Sequence, residues 1–200
     1  MVDLARRQLA RRAAFEDFRR QGERVWIRPR GSSMRPLIGA ETTLLVEFGA
    51  PSAEIGDIIL FPLGEIYVAH RLVARRRQGV EVLIAKGDAE PYFDAPLAPG
   101  ELLGVVRALR RGASPATSLG CAGWSARLSG RVSYLAGRGA WVARRVAAIL
   151  PGPLRRMALS AIPPLARLTA QLWFTPLLWA VLLRAKRIES MEGGEQHEAV

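Results

Sequence analysis

One cysteine, two histidines and two lysines are all that this 200-residue chain holds of three chemically versatile residue types. Cys121, being alone, excludes an intramolecular disulfide; it lies outside every motif considered below and reads as structural or incidental. His197 sits among Glu192, Glu195 and Glu198 in a polar tail, so any histidine that performs chemistry is His70. Acid is missing over a long stretch: residues 102–188 hold fourteen basic side chains and no carboxylate. An uninterrupted apolar segment is missing from the first thirty residues, where Arg6, Arg7, Arg11, Arg12, Arg19 and Arg20 exclude the core of a secretory signal. No metal-ligand cluster and no internal repeat is visible, and neither a metal nor an organic cofactor is expected.

What the chain does have is apolar mass and arginine. Half of its residues are hydrophobic and its mean hydropathy is +0.09, high for an ordinary soluble protein, while its length is ample for one core. Arginine supplies 27 of the 29 basic residues. The net charge of +11 is unevenly spread: residues 1–30 carry +5, 31–101 carry −4, 102–188 carry +14 and the last twelve carry −4.

Local pattern divides the chain into four parts. Residues 1–23 read as an amphipathic helix from an Asp3 cap to Gln21, ended by Gly22, with Leu4, Leu9, Phe15 and Phe18 as its apolar aspect. It either packs on the core or touches anionic lipid. Residues 24–111 carry six strand-length runs: 25–27, 43–46, 57–61, 66–69, 80–84 and 102–106. Gly49-Ala50-Pro51, Phe61-Pro62-Leu63-Gly64 and Gln78-Gly79 punctuate them. This predicts a mainly β domain, coiled or barrel-like, preceded by the helix. Residues 112–188 form a basic, apolar region with helices near 124–150 and 153–187, broken at Pro151-Gly152-Pro153 and Pro163-Pro164. Residues 189–200 are an acidic tail, expected to be disordered.

Three segments carry chemistry. Gly31-Ser32-Ser33-Met34-Arg35-Pro36 is followed by Ala69-His70-Arg71 and then by Lys86-Gly87-Asp88-Ala89-Glu90-Pro91-Tyr92-Phe93-Asp94. A serine hydroxyl is a poor nucleophile until an imidazole takes its proton, and the imidazole works best when a carboxylate fixes its tautomer. Each member has an ordinary reading as well: a Gly-Ser turn, a satisfied core histidine, a Gly-Asp turn, a loop acid. The ordered set points to peptide-bond cleavage.

These residues resemble the boxes of type I signal peptidases. Gly-Ser-Ser-Met-Arg-Pro looks like the nucleophile box, and Gly56-Asp57-Ile58-Ile59 like the strand after it. His70-Arg71-Leu72-Val73 resembles the His-Arg-hydrophobic box of the endoplasmic-reticulum, archaeal and sporulation-type branch, where His replaces the Lys base of the common bacterial enzymes. Lys86-Gly87-Asp88 with Asp94 resembles that branch's acidic box, and Leu103-Gly104-Val105-Val106 its closing strand. The resemblance covers roughly residues 25–108. It implies a signal-peptidase catalytic domain of the S24/S26 peptidase type, with Ser33 as nucleophile, His70 as general base, Asp94 as the orienting acid and Asp88 as a supporting carboxylate. Ser32 and Met34 would serve the oxyanion or the substrate. One position departs: the family's Ser two residues before the nucleophile is Gly31 here, which leaves the oxyanion to backbone N–H groups.

The C-terminal region predicts a lipid contact. Leu168–Leu183 is sixteen uncharged residues, about 24 Å of helix against a hydrocarbon core of about 30 Å. Arg167, Arg184, Lys186 and Arg187 flank it, and it holds Trp173, Pro176 and Trp179. The unneutralised arginines suit anionic headgroups better than nucleic acid. The expected location is a bacterial or archaeal cytoplasmic membrane, by a single span or an interfacial segment. With one span, Arg144, Arg145, Arg155, Arg156 and Arg167 would favour a cytoplasmic catalytic side.

The leading expectation is therefore a serine endopeptidase that removes a signal or leader segment from a peptide precursor through an acyl-enzyme at Ser33. Two others stand beside it: a Ser-Lys protease of the self-cleaving repressor type with Lys86 as base, and a non-catalytic, basic membrane adaptor.

Overall fold

The computed structural model describes residues 2–49, 52–119, 124–165 and 168. Helix α1 (Val2–Gln21) precedes strands β1 (Arg24–Ile27), β2 (Thr42–Phe48), β3 (Ile58–Leu63), β4 (Ile66–Gln78), β5 (Val80–Lys86), β6 (Gly104–Arg111) and the short β7 (Thr117–Ser118). Helix α2 (Trp124–Ile149) follows, and residues 152–165 form a further helix, α3. The strands make one antiparallel sheet in the order β1-β2-β6-β3-β4-β5, with β7 on β6.

The mainly β, barrel-like expectation is corrected on two counts. The domain is mixed α/β, because the helices occupy as much of the described chain as the strands do. The sheet is also not closed: its strand order ends at β1 and β5, and no pairing joins those ends among the described residues.

Both faces of the sheet are covered, which is why the central strands read as continuous apolar runs rather than alternating ones. Ile58 and Leu60 of β3 enter one core with Val46, Phe48, Val106 and Leu109, while Ile59 and Phe61 enter a second with Leu72, Leu83, Ala85 and Val105. Pro62 is tolerated inside β3 because the β6 pairing ends at Leu60, so no neighbour on that side needs its missing N–H. Gly64 turns the β3–β4 hairpin at φ 60°. β4 runs on to Gln78, well past the run that its apolar residues mark, because Arg75, Arg76 and Arg77 pair with β5 in a projecting ribbon.

α1 begins at Val2, so Asp3 lies in its first turn and is not the cap. Gly22 ends it at φ 67°. Of its described apolar side chains, Phe15 and Phe18 each lie 5.4 Å from the Phe48 ring, whereas Leu9 is exposed. Of the expected C-terminal helix breaks, the one at Pro151 is present, but residues 163–164 continue α3. Cys121, His197, the acidic tail and Leu168–Leu183 apart from Leu168 lie outside the described residues. Among the described residues no helix is long and apolar enough to cross a membrane.

Candidate active site

The Ser33 loop is pinned by its own apolar residues. Met34, Leu37 and Ile38 are buried in the first core, the Ile38 N–H donates to the Met34 carbonyl (3.0 Å), and Arg111 donates to the Pro36 and Leu37 carbonyls (3.2 and 2.9 Å). Ser33 stands half-buried at the tip of this loop. His70 comes from β4, opposite Ile59 of β3, and is 5% exposed.

The acid segment leaves β5 after Lys86 and folds back on the serine loop. The Ala89 N–H donates to the Ser33 carbonyl at 2.7 Å, and the Asp94 N–H to the Ala85 carbonyl at 3.0 Å. Gly87 permits the approach: a Cβ there would stand 2.8 Å from the Ser33 carbonyl oxygen and 3.0 Å from the Ser33 Cβ. A side chain at 87 would therefore push the two loops apart.

These three placements bring the expected residues together. The His70 Nε2 lies 2.8 Å from the Ser33 Oγ, and the His70 Nδ1 lies 2.7 Å from the Asp94 Oδ2. A carboxylate can only accept, so Nδ1 carries the proton and Nε2 is left to accept from the serine hydroxyl. Such a relay can generate an alkoxide-like nucleophile and hold the imidazolium that results. The Phe61 and His70 rings meet in a T-shaped arrangement, 6.1 Å between centroids.

Asp88 lies elsewhere. It takes two bonds from Arg71, Nε to Oδ1 at 2.9 Å and Nη2 to Oδ2 at 2.7 Å, and Arg71 also donates to the Gly56 carbonyl at 2.8 Å. Both side chains are buried, and the Asp88 N–H points at the Met34 sulfur (3.4 Å). Asp88 thus fastens the 87–94 segment to β4 and to the Ser33 loop. Arg71 is the partner that the sequence reading did not single out; the available signal was its place next to His70, since successive strand residues point to opposite faces. Replacing Asp88 by Ala leaves a buried guanidinium without its carboxylate, and the expected result is a loss of about 3–5 kcal/mol in urea unfolding.

Lys86 is 2% exposed, and its ammonium donates to the Gly87 carbonyl (3.0 Å) and to Ser133 Oγ of α2 (3.5 Å). Burial holds its pKa below the ordinary 10.5. None of its hydrogen bonds reaches Ser33, whose hydroxyl is taken by His70. Burial also raises the Asp57 carboxyl, although the Glu54 N–H bonded to it pulls the other way.

Gly31 has φ 115°, a backbone region closed to most side chains, so the path of this loop favours glycine there. Ser32 is exposed, and its carbonyl accepts from the Arg35 N–H (3.1 Å). The Ser33 N–H meets no backbone acceptor among the described residues. Beside Ser33 runs a cleft of about 370 Å³, lined by Phe15, Ile27, Met34, Ile38, Leu60, Tyr67 and Val68, with Arg28 and Glu65 at its polar side. Among the described residues no group of carboxylates, cysteines and histidines is arranged to hold a metal.

Comparison with protein-family models, curated proteins and solved structures finds no match to this chain. The assignment of function therefore stands on the chain's own chemistry.

Proposed function

We propose that the chain is a serine endopeptidase of the signal-peptidase type, which cleaves a signal or leader segment from a peptide precursor. The observation that carries this reading is the Ser33–His70–Asp94 relay, with contacts of 2.8 and 2.7 Å drawn from three separate segments. In this reading Ser33 attacks the scissile carbonyl while the His70 Nε2 takes its proton. His70 then returns that proton to the leaving amine, and water releases the acyl group by the same route. The Ser33 N–H, with Ser32 beside it, faces the developing oxyanion. The mixed α/β domain serves as a signal-peptidase catalytic domain.

Strand edges beside the cleft favour an extended peptide as substrate. Among the described residues β1 pairs only with β2, and Ile66–His70 of β4 pair only with β3, because the β5 ladder starts at Arg71. Unpaired edges of this kind accept a further strand through backbone hydrogen bonds. Mass spectrometry of precursor peptides from cells with and without the active chain tests the reading. A precursor whose N-terminus shifts only when Ser33 is present supports it; identical termini in both refute it.

We also assign the enzyme to a bacterial or archaeal cytoplasmic membrane, with anionic lipid rather than nucleic acid as the surface it touches. Leu135, Val142 and Ile149 recur every seven residues on the exposed side of α2, among Arg131, Arg138 and Arg145. Such a face suits a headgroup boundary. Sedimentation with vesicles rich in phosphatidylglycerol should carry the protein down, and much less so at high salt. Equal binding to neutral vesicles would remove the electrostatic part of the assignment.

A Lys86-based mechanism has no contact to favour it, since the Lys86 ammonium is spent on Gly87 and Ser133. A non-catalytic adaptor would have no use for the relay.

A further inference from the structure

Helix α2 is joined to the sheet by small residues, and the segment it presses on is the one that ends in Asp94. Gly130 lies against the turn before β3, where a Cβ would come within 2.9 Å of both the Gly56 nitrogen and the Ile55 Cγ2. Two turns on, a Cβ at Gly137 would stand 2.7 Å from the Phe93 Cζ and 3.2 Å from the Lys86 Cδ. The Tyr134 ring lies 5.5 Å from that of Phe93, and the Arg144 guanidinium lies 5.3 Å from the centre of the Tyr92 ring. Tyr92 and Phe93 are the two residues directly before Asp94.

A glycine inside a helix costs about 0.5–1 kcal/mol relative to alanine. Gly137 lies inside α2 and is not among the positive-φ glycines, so close approach to Phe93 is what its missing side chain provides. Among the described residues one backbone bond holds Asp94, from its N–H to the Ala85 carbonyl. Its carboxylate must stay within hydrogen-bond reach of His70, and the tilted Phe93–Tyr134 ring pair braces the segment on its N-terminal side, beyond the Asp88–Arg71 bonds that fasten it to β4.

We infer that α2 is a positioning element for the catalytic acid: Gly137 and Tyr134 fix Phe93, and Phe93 fixes the Asp94 carboxylate on His70. The inference rests on the proposed roles of His70 and Asp94, and it assigns α2 a part in turnover besides any contact with lipid.

The test is a double-mutant cycle between Gly137→Leu and Asp94→Asn, read on kcat for a precursor peptide and on the low-field proton resonance of the His70 Nδ1–H. Displacing a reacting group by about 1 Å costs on the order of 10² in rate. Gly137→Leu should therefore lower kcat about 10²-fold with Asp94 present, leave KM nearly unchanged, and abolish the low-field resonance. In the Asp94→Asn background it should have almost no further effect, because the group it displaces is already gone. Tyr134→Ala, which removes the ring without crowding, should act in the same direction and serves if the leucine variant does not fold. Equal losses in both backgrounds, or an unchanged kcat and resonance for both folded variants, would overturn the inference. The resonance keeps the two ideas distinguishable: if Ser33→Ala still cleaves the precursor, the protease reading fails, while loss of the signal in Gly137→Leu still reports the helix acting on Asp94.

Discussion

His70→Ala is expected to lower precursor cleavage by about 10⁶-fold, the same loss as Ser33→Ala and no smaller than that of the double variant. The equality follows from geometry: the 2.8 Å contact makes the two side chains one unit, so removing either leaves no activated hydroxyl. Each variant should keep the wild-type melting temperature within a few degrees, since neither side chain anchors its loop. Ser33 is held by backbone bonds and by the buried Met34, Leu37 and Ile38, and His70 by the β3–β4 ladder. Lys86→Met is the companion measurement, because methionine keeps the buried stem and removes the ammonium. Cleavage that survives Lys86→Met and fails in His70→Ala supports the imidazole base. The reverse outcome would transfer the role to the lysine.

The second large effect is expected at Asp94. Asp94→Asn should reduce kcat by about 10⁴-fold with little change in KM. An amide can donate to Nδ1, which favours the tautomer whose Nε2 is protonated and unable to accept from Ser33. The variant should fold normally, because the segment is fastened through Asp88 and its two bonds from Arg71. Asp88→Ala, by contrast, should lose stability before it loses chemistry. A steady-state assay alongside urea unfolding for both variants separates the roles. Asp94→Asn with full activity, or Asp88→Ala with full stability, would mean that the two carboxylates have been assigned the wrong way round.

Much of this was legible in the chain because the site is built from short local motifs. Ser33, His70 and Asp94 are each ordinary alone, and it is the ordered set with its neighbouring residues that singled them out. The six β runs are visible for a similar reason: strands buried on both faces concentrate Val, Ile and Leu. What local sequence hides is long-range closure. Whether β1 and β5 would meet was invisible from either strand, and the barrel expectation failed there. Asp3 looked like a cap because nothing local distinguishes a cap from a first-turn acid, both being favourable near a helix N-terminus. The length of β4 was hidden by its three arginines, whose partners lie across a hairpin.

The seat of α2 on the acid segment left the faintest trace. Gly130 and Gly137 stand seven residues apart on one side of a helix, yet glycine spacing alone says nothing about what comes close. Only the fold pairs them with Gly56 and Phe93. Arg71 was similarly present in the motif but silent about its role until Asp88 was found against it.

The central claim, that the relay activates Ser33, is tested most directly by treating the folded protein with a fluorophosphonate and mapping the adduct by peptide mass spectrometry. Stoichiometric modification is expected at Ser33, absent in Ser33→Ala and slowed by orders of magnitude in His70→Ala. An unlabelled Ser33 in the folded protein, or labelling that proceeds at the same rate without His70, would contradict it.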